Sequence, residues 1–396
     1  MIGIIINNNS SNSNIISENI IHSLEHTSDG RPSVCEVVGI YFSGGQNNKI
    51  DKNFIHSLNL NNSNNNPELY IRGMVFVFGH SIVSNNMIRL GIDKYGNNID
   101  KNYTIQGIYS EGITNLNFVH NTICITGTVL ADGENNTSAI VRNGAFLIYT
   151  FNNIIFNSRS NVRGTGSHYC LFTNFEQNIM SNYNLFFASG RGGVVGSINS
   201  GVINYLDLSS WQTATGLDNN SLYGYPNFIN HLGNHANVDL HVKSPTPIES
   251  QGTVFVTETY DFDNQIRINL TPVDIGADAG NFEFGFPIGI ENTYTTEIPN
   301  EFYLSQNFPN PVSLSSGKTN IGTALTKINF GVIEDDFYSI KIYNSLGQEV
   351  KEILSEHLNK GTYTIDFNAS ALSSGVYFYR LSSRKVSLIK KMLIVR

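Results

Sequence analysis

The stretch HSIVSNNMIRLG, residues 80–91, sets an asparagine between two apolar residues: Ile82, two variable positions, Asn85, one variable position, Met87. The pattern returns as Ile16, Asn19, Ile21; Ile50, Asn53, Ile55; Phe118, Asn121, Ile123; and Tyr149, Asn152, Ile154, with a degenerate copy at Ile179, Asn182, Asn184. Successive asparagines lie 34, 32, 36, 31 and 30 residues apart. Between them sit inserts of unequal length, such as NLNNSNNNPE (59–68) and RLGIDKYGNNIDKN (89–102). A near-constant step with variable inserts describes stacked coils. In a parallel β-solenoid each coil lays its inward residues on those of the coil below, roughly 4.8 Å away. Asn19, Asn53, Asn85, Asn121, Asn152 and Asn182 are therefore expected to form a ladder whose side-chain amides pair from coil to coil. Asparagine also tolerates the left-handed backbone that a corner needs. The competing architecture is an antiparallel sandwich with Asn-rich turns; scarce Asn-Gly signals and poor strand alternation disfavour it.

Composition narrows the function. Of 396 residues 40% are hydrophobic and 14% charged, enough apolar material for a large core. The net charge of −8 offers no basic footprint for a phosphate backbone, so nucleic acid is not an expected partner. No run reaches the roughly 18 apolar residues of a membrane helix. Residues 1–300 hold 13 basic and 24 acidic residues and 47 asparagines; residues 301–396 hold 11, 8 and 7. That shift from −11 to +3 marks a domain boundary near 290–300. Cys35, Cys124 and Cys170 are neither a disulfide framework nor a metal motif, and admit at most one bridge. The opening MIGIIINNNSSN lacks the basic flank and cleavage site of a signal peptide and reads as mid-strand. A longer reading frame carrying a signal peptide and earlier coils is expected.

The runs NNKIDKNFIHSL (47–58), HSIVSNNMIRLG and YTFNNIIFNSRSN (149–161) resemble the right-handed parallel β-helix repeats of pectin-lyase-like proteins. DLHVKSPTPIES (239–250), DFDNQIR (261–267) and VDIGADAG (273–280) resemble the closing segment that follows such helices in secreted bacterial proteins. The expected fold is thus all-β: a right-handed parallel β-helix over 1–205, its terminal coils and cover over 206–285, a linker over 286–300, and a small antiparallel β-sandwich over 301–396.

The last segment supplies its own pattern. FYLSQNFPNPVS, KINFGV, FYSIKIYNSLGQEVKEIL, GTYTIDFNAS, SGVYFYRL and SLIKKMLIV are strand-length runs punctuated by Gly347, Gly361 and Gly375, as in a sandwich of about seven strands. Tyr338, Ile340 and Ile342 alternate with Ser339, Lys341 and Tyr343. QNFPNP, IYNSLGQEV, LSSGVYFYRL and the terminal KKMLIVR closely resemble the type A C-terminal sorting domain of the type IX secretion system of Bacteroidetes and related bacteria. The matching positions are Pro309, Asn310, Pro311, Gly347, Gly375, Lys390 and Lys391. The resemblance implies an outer-membrane translocon and a sortase-like peptidase as partners, and delivery to the outer surface of a Gram-negative cell. It also implies cleavage within FPIGIENTYTTEIPN (286–300), which has two prolines and no regular-structure signal. The loop in QNFPNPVSLSSGKTNIGTALTKINF is longer than the family's usual one.

Chemistry on the helix is less legible. Resemblance to enzymes of this fold that act on polyuronic acids implies either clustered carboxylates for hydrolysis or a basic residue, often with calcium, for β-elimination. Asp93 and Asp100, with Asp132 and Glu134, follow their ladder asparagines at roughly similar phase, and Arg142, Arg159, Arg163 and His168 come on the next stretch. Asp93, Asp132, Glu134, Arg142 and Arg163 are the catalytic candidates. Solvated loop charges are the plain alternative, since any acidic surface carries such spacing. DKYGNNID lacks the alternating ligands of an EF-hand, so calcium is the single cofactor left open. GRGGVVGS (190–197) does not open a helix and reads as a tight corner. Outward tyrosines, phenylalanines and Trp211 are candidates to stack on sugar rings. The expected function is a secreted, surface-delivered β-helix protein whose passenger binds carbohydrate or is non-catalytic. A polysaccharide lyase or glycoside hydrolase and a structural adhesin are its rivals.

Overall fold

The computed structural model describes residues 1–8, 13–28, 35–62, 69–134, 136–144, 146–174, 177–255, 258–271, 273–285, 290–291, 299, 301–313, 325–334, 336–358, 360–369 and 372–395. The chain forms two compact units, Met1–Pro287 and Ile288–Arg396.

The first unit is a parallel β-solenoid of about six turns, as its repeat requires. Each coil contributes strands to three faces. The first face stacks Ile2–Asn7, Cys35–Ser43, Leu69–Ser84, Thr104–Val119, Thr137–Arg142, His168–Thr173 and Gly193–Ile198. The two 16-residue strands, Leu69–Ser84 and Thr104–Val119, continue round the corner into the second face, where they join Ile15–Ser17, Asn48–Asp51, Ile148–Phe151 and Ile179–Asn182. The third face is a seven-stranded sheet built on Ile20–His22, Phe54–His56, Met87–Leu90, Thr122–Ile125, Ile154–Asn157, Leu185–Ala188 and Leu222–Tyr223. Inward residues form columns, among them Ile21, Ile55, Ile88, Ile123, Ile155 and Phe186.

Against that column stands another whose side chains grow along the axis: Gly3, Gly39, Gly73, Gly107, Ala139, Cys170, Val195. A Cβ on Gly73 would lie 2.5 Å from the Gly107 carbonyl oxygen and 2.7 Å from Ile88 Cγ2, so close approach of neighbouring coils requires the glycine. Here the first-face strands bend, and two consecutive residues, Gly73 with Met74 or Ala139 with Ile140, turn inward.

The asparagine ladder stands at the corner between second and third faces, with its register corrected. The side-chain oxygens of Asn53, Asn86, Asn121, Asn153 and Asn184 each accept from both the backbone N–H and the amide of the residue one coil earlier, at 2.9–3.2 Å. The expected Asn19, Asn53 and Asn121 belong to it; Asn85, Asn152 and Asn182 do not. Asn85 and Asn152 occupy the left-handed position just before the ladder, φ 54° and 57°, equivalent to Lys52 and His120. Their side chains face outward. Asn182 instead caps the Tyr183 and Asn220 N–H groups at 3.0 and 2.8 Å. The ladder ends where the Asn184 N–H donates to Ser221 Oγ and the Asn184 amide to the buried Asp218 carboxylate.

Residues beyond the coils do more than close an end. Helix α1, Leu208–Thr215, is capped by Asp207 and sets Trp211, fully buried, across the last coil, its indole N–H donating to Asp218 Oδ2 at 2.8 Å. A Cβ at Gly196 would meet that ring at 2.4 Å. The chain then runs back along the outside of the solenoid. Phe228, Leu240, Val242, Ile248, Ile275 and Ala277 cover Met87, Cys124, Ile154, Phe156, Leu185 and Phe187, the outward residues of the third face. Polar clamps fix this lateral layer: Arg267 donates to Asn85 Oδ1 at 2.8 Å, Asn152 exchanges two hydrogen bonds with the Thr253 backbone, and Arg89 donates to the Gly233 carbonyl. The segment expected as an end cover is thus an end cap followed by a side wall. An outer sheet face this apolar has to be shielded from water.

The second unit is a β-sandwich. One sheet orders Ile290–Glu291, Gly361–Asn368, Leu325–Val332 and Tyr303–Leu304; the other orders Val312–Ser313, Ser387–Val395, Gly375–Ser382, Asp336–Asn344 and Glu349–Leu358. Pairing is antiparallel except between Val312–Ser313 and the last strand. Tyr338, Ile340 and Ile342 face the shared core with Phe330, Ile365, Tyr379, Leu381, Met392 and Ile394, as their alternation requires. Within the expected linker, Ile290–Glu291 is a strand paired to Thr364 and Ile365, which corrects the expectation of no regular structure there. The rest of that linker apart from residue 299, and the long loop at 314–324, lie outside the described residues.

Candidate functional site

The catalytic candidates differ in setting. Asp93 turns back on its own loop, accepting from the Tyr95 and Asn97 N–H groups at 2.8 Å each. Asp132, Glu134 and Arg163 are exposed. Arg142 is buried, its guanidinium bound to the Phe146 carbonyl at 3.0 Å and Thr173 Oγ1 at 3.1 Å, and burial lowers its pKa to about 10. Arg159 is likewise fully buried, donating to the Thr126 and Ile99 carbonyls. His168 is sealed in, with Nδ1 on Thr137 Oγ1 at 3.0 Å. Of the four basic residues of the stretch 142–168, Arg142, Arg159 and His168 therefore serve as internal polar ties, and Arg163 is the exposed one. Trp211, as the end cap, is closed to any ligand. The thiols are all free, and burial raises the Cys170 pKa to about 12.

Another surface on the first face does present aromatic rings. On either side of the bend, outward residues form two columns: Val38, Arg72, Gln106, Ser138, Tyr169, Val194, and Tyr41, Val75, Tyr109, Val141, Phe172, Ser197. Side chains from the two columns meet. The Arg72 guanidinium lies 4.3 Å from the Tyr109 ring centroid and 4.2 Å from that of Tyr70, and Tyr169 packs edge-on to Phe172 at 5.0 Å. Arg72 is also held by Glu36 and by Gln106 at 2.6 Å, while Asn143 donates to the Tyr109 hydroxyl at 2.8 Å. Val38, Val75, Val141 and Val194 are buried beneath. The result is a crease with an apolar floor, half-buried rings at Tyr41, Tyr109 and Phe172, and polar groups beside them. In sequence the signal is the outward tyrosine in VGIYF and IQGIY, hidden because the neighbouring glycine breaks simple alternation.

In the sandwich, most of the residues expected to carry the sorting signal, the segment around Asn310, Gly375, Lys390 and Lys391, lie on or beside the last strand, whereas Gly347 lies in the turn between Asp336–Asn344 and Glu349–Leu358. Asn310 Oδ1 accepts from the Leu393 N–H at 2.9 Å, and Gln306 donates to the Lys391 carbonyl at 2.5 Å. Phe308–Pro309 and Asn310–Pro311 are cis, and Asn307 ties the Pro309 carbonyl to Thr326 and takes part in a tie to Tyr379. Gly347 holds φ 79° in the turn after Asn344, whose side-chain oxygen caps Leu346 and Gln348. A Cβ at Gly375 would meet only ordinary contacts. Lys390 and Lys391 are both exposed, on opposite faces of their strand.

Residues 306–395 match the family model for the secretion system C-terminal sorting domain. No curated protein and no solved structure matches the chain. No helix among the described residues is long and apolar enough to cross a membrane. With the solenoid that precedes it, the chain is a β-solenoid protein carrying a type IX secretion C-terminal sorting domain, which marks it for export to the cell surface or beyond.

Proposed function

We propose that the solenoid is a carbohydrate-binding passenger, displayed at the cell surface after export, with its ligand lying along the first-face crease. The observation that carries this reading is the alternation of Tyr41, Val75, Tyr109, Val141 and Phe172 up one outward column. Aromatic rings recur there every second coil, about 9.6 Å apart. Pyranose rings offer apolar C–H faces to such side chains and hydroxyls to polar neighbours such as Gln106, Asn143 and Glu36. A sortase-like peptidase acting between residues 286 and 300 is the partner that would detach the sorting domain.

The test is retention of the full chain on immobilised neutral and polyuronic polysaccharides, with unsaturated and reducing ends followed in parallel, with and without calcium. Retention without turnover is expected. Tyr109→Ala should weaken it by about 0.5–1.5 kcal/mol, up to about tenfold. Unsaturated product would turn the reading to a lyase, and new reducing ends alone to a hydrolase. Neither retention nor turnover would leave a structural adhesin.

A further inference from the structure

The lateral layer contains one group of side chains that neither export nor the crease employs. His241, on the strand Asp239–Val242, projects between carboxylates from three segments. Its Nδ1 lies 2.6 Å from Asp239 Oδ1, and its Nε2 lies 2.9 Å from Asp263 Oδ2. Ligand atoms of His241, Asp263 and Asp278 all fall within 4.8 Å of one another.

The geometry offers a cation one imidazole nitrogen and two carboxylates. With Nδ1 turned to Asp239, Nε2 is the ring nitrogen that faces Asp263. A metal ion, like a proton on Nε2, supplies the positive charge that draws an imidazole nitrogen and a carboxylate oxygen together. Asp278 adds a second carboxylate to the same space. We propose that His241 Nε2, Asp263 and Asp278 form a binding site for a first-row divalent cation of the Zn²⁺ class.

Three features of the fold support the assignment. First, Asp239 behind the imidazole is the carboxylate partner that fixes the tautomer and orientation of a metal-binding histidine. Its Oδ1 is held in turn by the His241 backbone N–H at 2.9 Å. Second, the ligands are pre-positioned. The Val242 N–H donates to Asp278 Oδ2 at 2.9 Å, and Asp261 braces the turn that carries Asp263 by accepting from the Asp263 and Gln265 N–H groups at 3.0 and 2.7 Å. Third, Asp278 is buried, His241 half-buried and Asp263 exposed, which leaves solvent access for entry and for a water in a fourth position. An imidazole with two carboxylates suits Zn²⁺ better than Ca²⁺, which takes six to eight oxygens. Bound there, the ion would join the segments around residues 241, 263 and 278 and tighten the wall over the third face.

The experiment uses the full chain, stripped with a chelator and titrated with Zn²⁺ alone, reading binding stoichiometry by calorimetry and the unfolding temperature by scanning. One Zn²⁺ per chain and a raised unfolding temperature are expected. Asp263→Asn, an exposed change that leaves packing untouched, should lower affinity at least tenfold, and His241→Gln should do the same. Asp239→Asn should cost about 10–100-fold through the imidazole it orients. Asp132→Asn, elsewhere on the surface, should bind as the parent does. The proposal is overturned if Zn²⁺ neither binds nor shifts unfolding at millimolar concentration, the result expected if a protonated imidazole alone bridges the carboxylates. Binding undiminished in Asp263→Asn, or a response to Ca²⁺ but not to Zn²⁺, would overturn it equally.

Discussion

At the scale of single residues, the asparagines show how one position decides a role. Asn86 and Asn153 are fully enclosed and pair on both sides along the ladder, whereas Asn85 and Asn152, one residue earlier, reach outward to hold the lateral layer. Asn121→Ala should therefore cost about 1–3 kcal/mol by orphaning buried partners, measured as a shift in the denaturant midpoint. A loss near zero would count against the ladder. Gly73→Ala forces a Cβ against the Gly107 carbonyl and should cost about 1–3 kcal/mol by overpacking, read from the same unfolding curves. His168 titrates in a sealed site where burial, and then Arg159, hold its pKa at about 3 against 6.5 when free. The unfolded chain then binds the extra proton between these values, so this residue's contribution makes stability fall as pH falls from about 6.5 toward 3. In His168→Gln the slope of stability against pH between about 4 and 6 should be smaller by about one proton. Parallel curves would mean that the imidazole is not held neutral.

At the scale of elements, α1 and the lateral layer complete what the coils leave open. A solenoid's last coil exposes an edge and an apolar interior: the strand Ile203–Tyr205 pairs antiparallel with the edge strand Gly193–Ile198, and Trp211 on α1 covers the interior while satisfying the buried Asp218. Trp211→Ala should destabilise the first unit by about 3–5 kcal/mol, removing both the ring and a partner of Asp218, as thermal unfolding would show. The lateral layer explains the misplaced register. The repeat template asks for an apolar residue two positions after the asparagine, and Met87 and Ile154 satisfy it although they point outward, because the layer buries them. With the ladder set on Asn86 and Asn153, the corresponding residues are Ile88 and Ile155, both inward. The polar Asn184 at that place in the last copy was the visible sign of the slip.

At the scale of the whole molecule, the chain divides into two separately cored units. The sorting domain is a separately cored sandwich whose Asn-Pro segment is hydrogen-bonded to the strand bearing Lys390 and Lys391. Deleting residues 302–396 from a chain expressed behind a signal peptide should leave the solenoid in the periplasm of a host with type IX secretion. Fractionation with surface proteolysis reads the result, and undiminished surface delivery would defeat the assignment.

The sequence by itself determined the solenoid, the sandwich and the export route. Each rests on local or strictly periodic information: a step of 30–36 residues between asparagines, strand alternation at Tyr338–Ile342, and contiguous motifs from QNFPNP to KKMLIVR. Tertiary structure alone decided which neighbour in an Asn-Asn pair enters the ladder, and which charged residues remain outside. Arg142 and Arg159 read as surface bases because their burial depends on corners and on contacts between coils some 30 residues apart. The crease and the His241 cluster were hidden for the same reason. Their members come from different coils or segments, and only stacking and the return of the lateral layer bring them within reach of one another.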